Sequence, residues 1–160
     1  MEIRTAAMAD LAAITQLEAI CFPAAEAATE ESFTRRLEMY PSHFWLLMDE
    51  ETIVSFVNGL VTDEPDLRDE MYDDATLHDE NGTWQMIFGV DTHPDYRRQG
   101  CAGKLLEHVI GQAKAQGRRG LVLTCKDKLV PYYAKFGFVS EGISQSTHGD
   151  VIWYQMRLTL

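Results

Sequence analysis

Leu11, Ile14, Leu17 and Ile20 recur every third residue and the run stops before Pro23, which predicts an amphipathic helix over residues 11–20, after a short strand at 3–5. A second helix starts from Thr29, sets Phe33, Leu37 and Tyr40 on one face, and ends before Pro41. The period then shortens. Residues 44–48 and 53–61 are strand-like and flank the polar turn Asp49-Glu50-Glu51-Thr52, so they read as a hairpin. Residues 84–91 form the next strand. They are followed by a helix at 103–116, a strand at 121–125, a short helix at 129–136 and two closing strands at 138–143 and 151–158. Strand, helix, strand over 84–125 implies a parallel crossover. No repeat or linker divides this order, so residues 1–160 are read as one α/β domain.

Composition narrows the partners. With 160 residues, 46% of them apolar, the chain is long enough to close its own core. It has no run near the roughly 18 apolar residues of a membrane span, and Met1-Glu2-Ile3-Arg4-Thr5 lacks the apolar stretch of a signal peptide; a soluble cytoplasmic protein is expected. Cys21, Cys101 and Cys125 have no metal-ligand spacing and are odd in number, so neither a metal site nor a disulfide framework is expected. The formal charge of −11 argues against nucleic acid or an anionic membrane as partner and suits a cationic substrate. Much of that charge lies at 63–82, DEPDLRDEMYDDATLHDENG, which reads either as a solvated linker with a helical turn or as a flap over a site for cations.

The segment YRRQGCAGKLLEHV, residues 96–109, places two arginines and small residues before the helix that carries Leu105, Leu106, Val109, Ile110 and Ala113 on one stripe. The first amides of a helix lack partners and sit at the positive end of its dipole, so a phosphate supplies both acceptor and countercharge. Gly100, Ala102 and Gly103 let a phosphate approach the backbone, and Arg97 and Arg98 add attraction; a plain glycine-rich turn is the alternative.

Arg97-Arg98-Gln99-Gly100-Cys101-Ala102 resembles the Arg/Gln-x-x-Gly-x-Gly/Ala signature by which GNAT-superfamily N-acetyltransferases hold the pyrophosphate of acetyl-CoA. IFGVDTHPDYRRQG at 87–100 and LVPYYAKFGF at 129–138 fit the same family. The segment at 129–138 is similar to the arylalkylamine (serotonin) branch in particular, and LVTDE at 60–64 matches loosely. The resemblance implies a mixed, mostly antiparallel sheet of about seven strands with a splayed fourth and fifth pair, flanked by about four helices.

It also implies roles. The backbone of Arg98, Gln99, Gly100, Cys101, Ala102 and Gly103 would bind pyrophosphate, and Val90, Asp91 and Thr92 at the splayed strand end would pair with the pantetheine arm of acetyl-CoA. An amide near Val90 would serve as oxyanion donor. Tyr133 matches the family's tyrosine beside the sulfur, where a phenol can protonate a leaving thiolate. A core aromatic is the other reading of Tyr133, Tyr132 is the adjacent candidate, and Gly137 would cap the short helix. One departure stands out: the branch carries two histidines on the strand before this site, and Met86 and Phe88 occupy those positions here. The base is therefore open among Asp63, Glu64, His78, Asp91 and water, while His93 before Pro94 is read as structural.

Met86, Phe88, Phe22, Pro23 and Thr124 would make an acceptor pocket, unless Met86 and Phe88 are sheet core, with Glu26 or the acidic segment attracting an ammonium. A small hydrophobic or aromatic primary amine is expected. A polyamine, a protein N-terminus or lysine, or a CoA-binding sensor without activity are the alternatives, and a homodimer is left open.

Overall fold

The computed structural model describes residues 1–160. Nine strands form two sheets, and five α-helices lie against them. In the first sheet, β1 (Glu2–Thr5), β2 (Phe44–Asp49), β3 (Thr52–Asn58) and β6 (Gly89–Thr92) follow one another in that order, all antiparallel. The second runs β4 (Val61–Thr62), β5 (Trp84–Ile87), β7 (Gly120–Cys125), β9 (Tyr154–Thr159) and β8 (Val139–Ile143). Its β5–β7 pair is parallel, as the crossover at 84–125 requires.

Two segments read as single strands from sequence are each shared between the sheets. Residues 53–61 leave the first sheet after Asn58 and join the second at Val61; residues 84–91, which the structure extends to Thr92, do the reverse at Phe88. Hydrogen bonds hold the crossing together, from Met86 N–H to Leu60 O at 2.8 Å and from Phe88 N–H to Asn58 O at 2.8 Å. Gly59 makes this possible, since a Cβ there would stand 1.8 Å from the Met86 carbonyl oxygen. The consequence is a wedge. β6 follows β3 while β7 stays with β5, and the chain edges part beyond Ile87 and Leu123.

Helices α1 (Leu11–Cys21) and α2 (Glu30–Met39) cover one face of the first sheet. The α1 helix ends where Phe22, before Pro23, turns extended. Helix α2 starts where the Thr29 hydroxyl accepts the Ser32 N–H at 3.2 Å, and gives way to Pro41. Their core includes Ile14, Leu17, Phe33, Leu37, Phe44 and Phe56, with Leu11 partly buried beside it, whereas Ile20, expected on the same α1 face, is exposed, and Tyr40 caps α2 and packs in another cluster. On the opposite side α4 (Cys101–Ala115) buries Leu105, Leu106, Val109 and Ala113 against Val54, Val57, Leu121 and Leu123.

The acidic segment 63–82 is more built than a linker. It contains α3 (Asp69–Asp73) and a 3-10 turn at Ala75–Leu77, and it buries Leu67, Met71 and Ala75 in a third core cluster with Tyr40, Leu60, Trp84 and Met86. Its apolar residues are few and irregularly spaced, so periodicity hides them. Helix α5 (Val130–Ala134) is capped at Lys135, not at Gly137 as expected; Gly137 closes the turn that follows, its N–H on the Ala134 carbonyl at 3.1 Å and its φ of 99° in the left-handed region. No helix is long and apolar enough to cross a membrane.

Candidate active site

The wedge between β6 and β7 opens into a cavity of about 730 Å³. Its backbone edge follows from ladder alternation. His93 N–H bonds Val54 O at 2.7 Å and Asp91 stands opposite Phe56, so the groups of Val90 and Thr92 turn away from β3, toward the side that β7 has vacated. The Thr92 carbonyl is accordingly met by side chains, Cys21 Sγ at 3.3 Å and Arg97 Nε at 3.4 Å.

At the mouth lies the turn into α4. Arg98 has φ 63° and Gly100 φ 77°, and the first backbone bond of the helix runs from Lys104 N–H to Gly100 O at 3.0 Å, so the amides of Cys101, Ala102 and Gly103 have no helical acceptor. Arg98, Gln99 and Gly100 are exposed, and both Arg97 and Arg98 border the cavity. Gly103 has a packing role that the sequence did not reveal: a Cβ there would meet the Phe136 ring at 3.1 Å. Cys101 is buried in the core, so only its backbone faces the turn.

Tyr133 is 7% exposed and lines the cavity from α5. Its ring packs edge-on to Tyr132 at 5.1 Å and to Phe138 at 6.2 Å. Burial, reinforced by Cys125, Tyr132 and Asp91, pushes its phenol well above the ordinary tyrosine range, so it stays protonated. Tyr132 is half-buried over Phe136 and Gly103 and does not line the cavity.

Phe22, Pro23, Phe88 and Thr124 all line the cavity. Met86 does not. Although it shares the period-two face with Phe88, it is 0% exposed in the cluster with Tyr40, Leu60 and Met71, because the acidic segment covers that part of the sheet. The acceptor wall continues instead onto Tyr72, a residue that no sequence pattern marks out. Its ring lies 4.7 Å from Phe88 and stacks on His148 at 5.3 Å and 10°, and its hydroxyl sits 3.0 Å from Thr124 Oγ1. Burial pushes the Tyr72 phenol up to about 12. His148 is fixed by donating from Nε2 to the Glu26 carbonyl at 2.7 Å. Glu26 itself is spent on Lys126, 2.8 Å away, and is not a free anion for an ammonium.

The candidate bases separate. Asp63 accepts from Thr83 N–H and hydroxyl at 3.0 and 2.7 Å, and Glu64 pairs with Arg68; neither lines the cavity. His93 caps the turn at Pro94–Tyr96 by accepting from Asp95 N–H at 3.1 Å. His78 belongs to a cluster remote in sequence, in which its Nε2 lies 3.0 Å and His43 Nε2 2.9 Å from Glu80. The His78 Nδ1 accepts Val61 N–H at 3.0 Å, which leaves the proton of the neutral ring on Nε2, and Arg118 also holds Glu80 at 3.0 Å. The group is a polar clasp that ties the acidic segment to His43 before β2 and Arg118 before β7; a metal there would have to displace that proton and the guanidinium. Asp91 alone adjoins the cavity, directly behind Glu18, Gly89 and Arg36, three lining residues that the sequence patterns leave unmarked.

A model of the Acetyltransferase (GNAT) family matches residues 11–138. The serotonin N-acetyltransferase of Mesocricetus auratus is 31% identical over 113 residues, 70% of this chain and 53% of that protein. That of Homo sapiens is 30% identical over 115 residues, with 70% and 53% covered. The chain thus spans about half the length of the curated relatives it matches. Among solved structures, the GphF GNAT-like decarboxylase in complex with isobutyryl-CoA superposes with TM-score 0.83 at 22% identity over 99% of both chains. The ribosomal-protein-S18-alanine N-acetyltransferase from Escherichia coli superposes with TM-score 0.76 at 22% identity, over 99% of this chain and 92% of that one. Those two share the fold.

Proposed function

The chain belongs to the GNAT acetyltransferase family, and on that premise we propose that it moves the acetyl group of acetyl-CoA to the nitrogen of a small hydrophobic or aromatic primary amine. The observation that carries this reading is the single cavity that joins a phosphate-compatible turn, a free strand edge and an aromatic wall.

Each part has a chemical task. The unpartnered amides at the start of α4, with Arg97 and Arg98, hold the pyrophosphate of acetyl-CoA, which supplies the acyl thioester. The Val90 carbonyl and the Thr92 N–H take amide groups of the pantetheine arm, and the Val90 N–H stabilises charge on the acetyl oxygen during attack. Tyr133, kept protonated by burial, gives its proton to the departing sulfur. Phe22, Phe88 and Tyr72 form the apolar surface for the acceptor's body, which favours a hydrophobic amine over a polyamine.

Release of free CoA thiol from acetyl-CoA, measured across arylalkylamines, polyamines and peptides, tests this. The reading expects the strongest amine-dependent release with an arylalkylamine such as 2-phenylethylamine. Preference for a polyamine or peptide overturns the substrate class, and no amine-dependent release from any member favours a CoA-binding sensor.

A further inference from the structure

Asp91 is 0% exposed, and neither of its carboxyl oxygens has a hydrogen-bond donor in the protein. An ionised carboxylate so placed is expensive, and burial, followed by the neighbouring Glu18, raises its pKa well above the usual carboxylate range. Glu18 is the more accessible partner of the two. It is 7% exposed, on the last turns of α1, and it lines the cavity with Oε2 fixed by Ala28 N–H at 2.8 Å. Between them lies Gly89, where a Cβ would stand 3.2 Å from Asp91 Oδ1 and 4.0 Å from Glu18 Oε1. A bare backbone at that point leaves the two carboxyl groups facing one space beside the splayed strand.

The local charge points the same way. Arg36 is 3% exposed and gives its hydrogen bonds to uncharged oxygens, Asn58 Oδ1 at 2.9 Å and the Tyr72 carbonyl at 3.0 Å. Two ionised carboxylates beside one guanidinium would leave a buried net charge. With one proton on the pair, Glu18, Asp91 and Arg36 sum to zero, the state of lowest cost away from water. Asp91 holds that proton, since it is the more buried, and can donate it as a hydrogen bond to Glu18. Cys21 and Tyr133, the other titratable groups nearby, are both held protonated chiefly by burial, and Arg97 near Cys21 Sγ at 3.9 Å is a fixed charge.

We propose that Glu18, backed by Asp91 as its hydrogen-bond donor, is the base that takes a proton from the acceptor ammonium; this rests on the N-acetyltransferase reading above. Glu18 removes one proton and leaves a neutral amine. The nitrogen lone pair then forms the C–N bond at the acetyl carbon. As the C–S bond breaks, its electron pair stays on sulfur, which takes the Tyr133 proton. Tyr133 regains a proton from the nitrogen, and Glu18 releases its own to water. The products are the amide, the CoA thiol and one proton. Glu18 is the catalytic residue of the pair, and Asp91 is a positioning residue.

Glu18→Gln keeps an acceptor for Ala28 N–H and removes the base. With 2-phenylethylamine at neutral pH, kcat is expected to fall by about 10²-fold or more, while acetyl-CoA affinity by calorimetry is unchanged. With aniline, already neutral at that pH, the loss is expected to be much smaller. Asp91→Asn still offers a donor and should keep the acid limb of the kcat/KM profile in place. Asp91→Leu removes the donor and should move that limb to higher pH. An active wild type with Glu18→Gln within about threefold of it on 2-phenylethylamine defeats this inference while leaving the transferase reading intact. An Asp91→Leu variant with lower kcat and an unmoved limb reduces Asp91 to a structural residue and removes it from the proposal. A wild type that transfers to no amine takes both readings down together.

Discussion

Tyr133→Phe isolates a single hydroxyl. The phenol sits in the cavity wall, and its ring is held by Tyr132 and Phe138 through contacts that phenylalanine keeps. Folding stability should therefore change by no more than about 0.5 kcal/mol, and acetyl-CoA affinity should persist. Turnover should not. Loss of a general acid costs roughly 10²–10⁴ in rate, which at 1.36 kcal/mol per decade is about 2.7–5.4 kcal/mol of barrier. The pH dependence identifies the step. Burial raises the Tyr133 phenol so far that the wild type keeps its acid throughout the working range. An alkyl thiol has a pKa near 8.5, so its expulsion as a bare thiolate becomes less unfavourable above that pH. The wild-type to variant turnover ratio, measured by thiol release at saturating substrates, should thus shrink from neutral pH to well above about 8.5, although amine deprotonation accelerates both proteins. Near-wild-type turnover of the variant at neutral pH refutes the role, and a ratio flat in pH leaves the hydroxyl a positioning function.

Three further substitutions probe the frame. Gly100→Val places a β-branched residue at φ 77°, where a Cβ meets open space but the left-handed backbone is strained, so the turn into α4 is distorted; acetyl-CoA affinity by calorimetry should fall by about tenfold or more, and undiminished binding sinks the pyrophosphate assignment. Phe88→Ala should raise the Michaelis constant for an arylalkylamine and leave that for acetyl-CoA nearly unchanged, whereas equal effects on both indicate loosening of the sheet. Gly59→Ala drives a methyl to 1.8 Å from the Met86 carbonyl and pries apart the crossing hydrogen bonds; a loss of at least about 3 kcal/mol in urea denaturation is expected, and a loss below about 1 kcal/mol contradicts the assigned strand crossing.

Periodic segments are the most legible. The buried stripes of α2 and α4 emerge largely from spacing, as does that of α1 at Ile14 and Leu17 though not at the exposed Ile20, and Pro23 and Pro41 mark ends that the structure keeps. Where one apolar run serves two sheets, spacing is blind: residues 53–61 keep their strand pattern across Gly59 although their partners change from β2 and β6 to β5, and so do 84–92 across Phe88. Met86 leaves the expected pocket for a related reason. Alternation gives the face of a side chain and not what covers it, and the cover is an acidic segment whose buried Leu67, Met71 and Ala75 follow no period. Glu18 is equally hidden, because on a helix read for its apolar stripe a flanking glutamate counts as solvated. The signal is present in Gly89, which follows a break in the strand, but its meaning needs the Glu18 and Asp91 oxygens in place.

The most direct measurement uses acetyl-CoA with a deuterium-labelled acetyl group, incubated with the protein and 2-phenylethylamine and followed by mass spectrometry of the amine. An amide carrying the label should form in step with released CoA, in amounts equal to it, and should fall together with it in Tyr133→Phe. Retention of bound acetyl-CoA with no labelled amide from this or any other amine in the panel would contradict acetyl transfer at the wedge between β6 and β7.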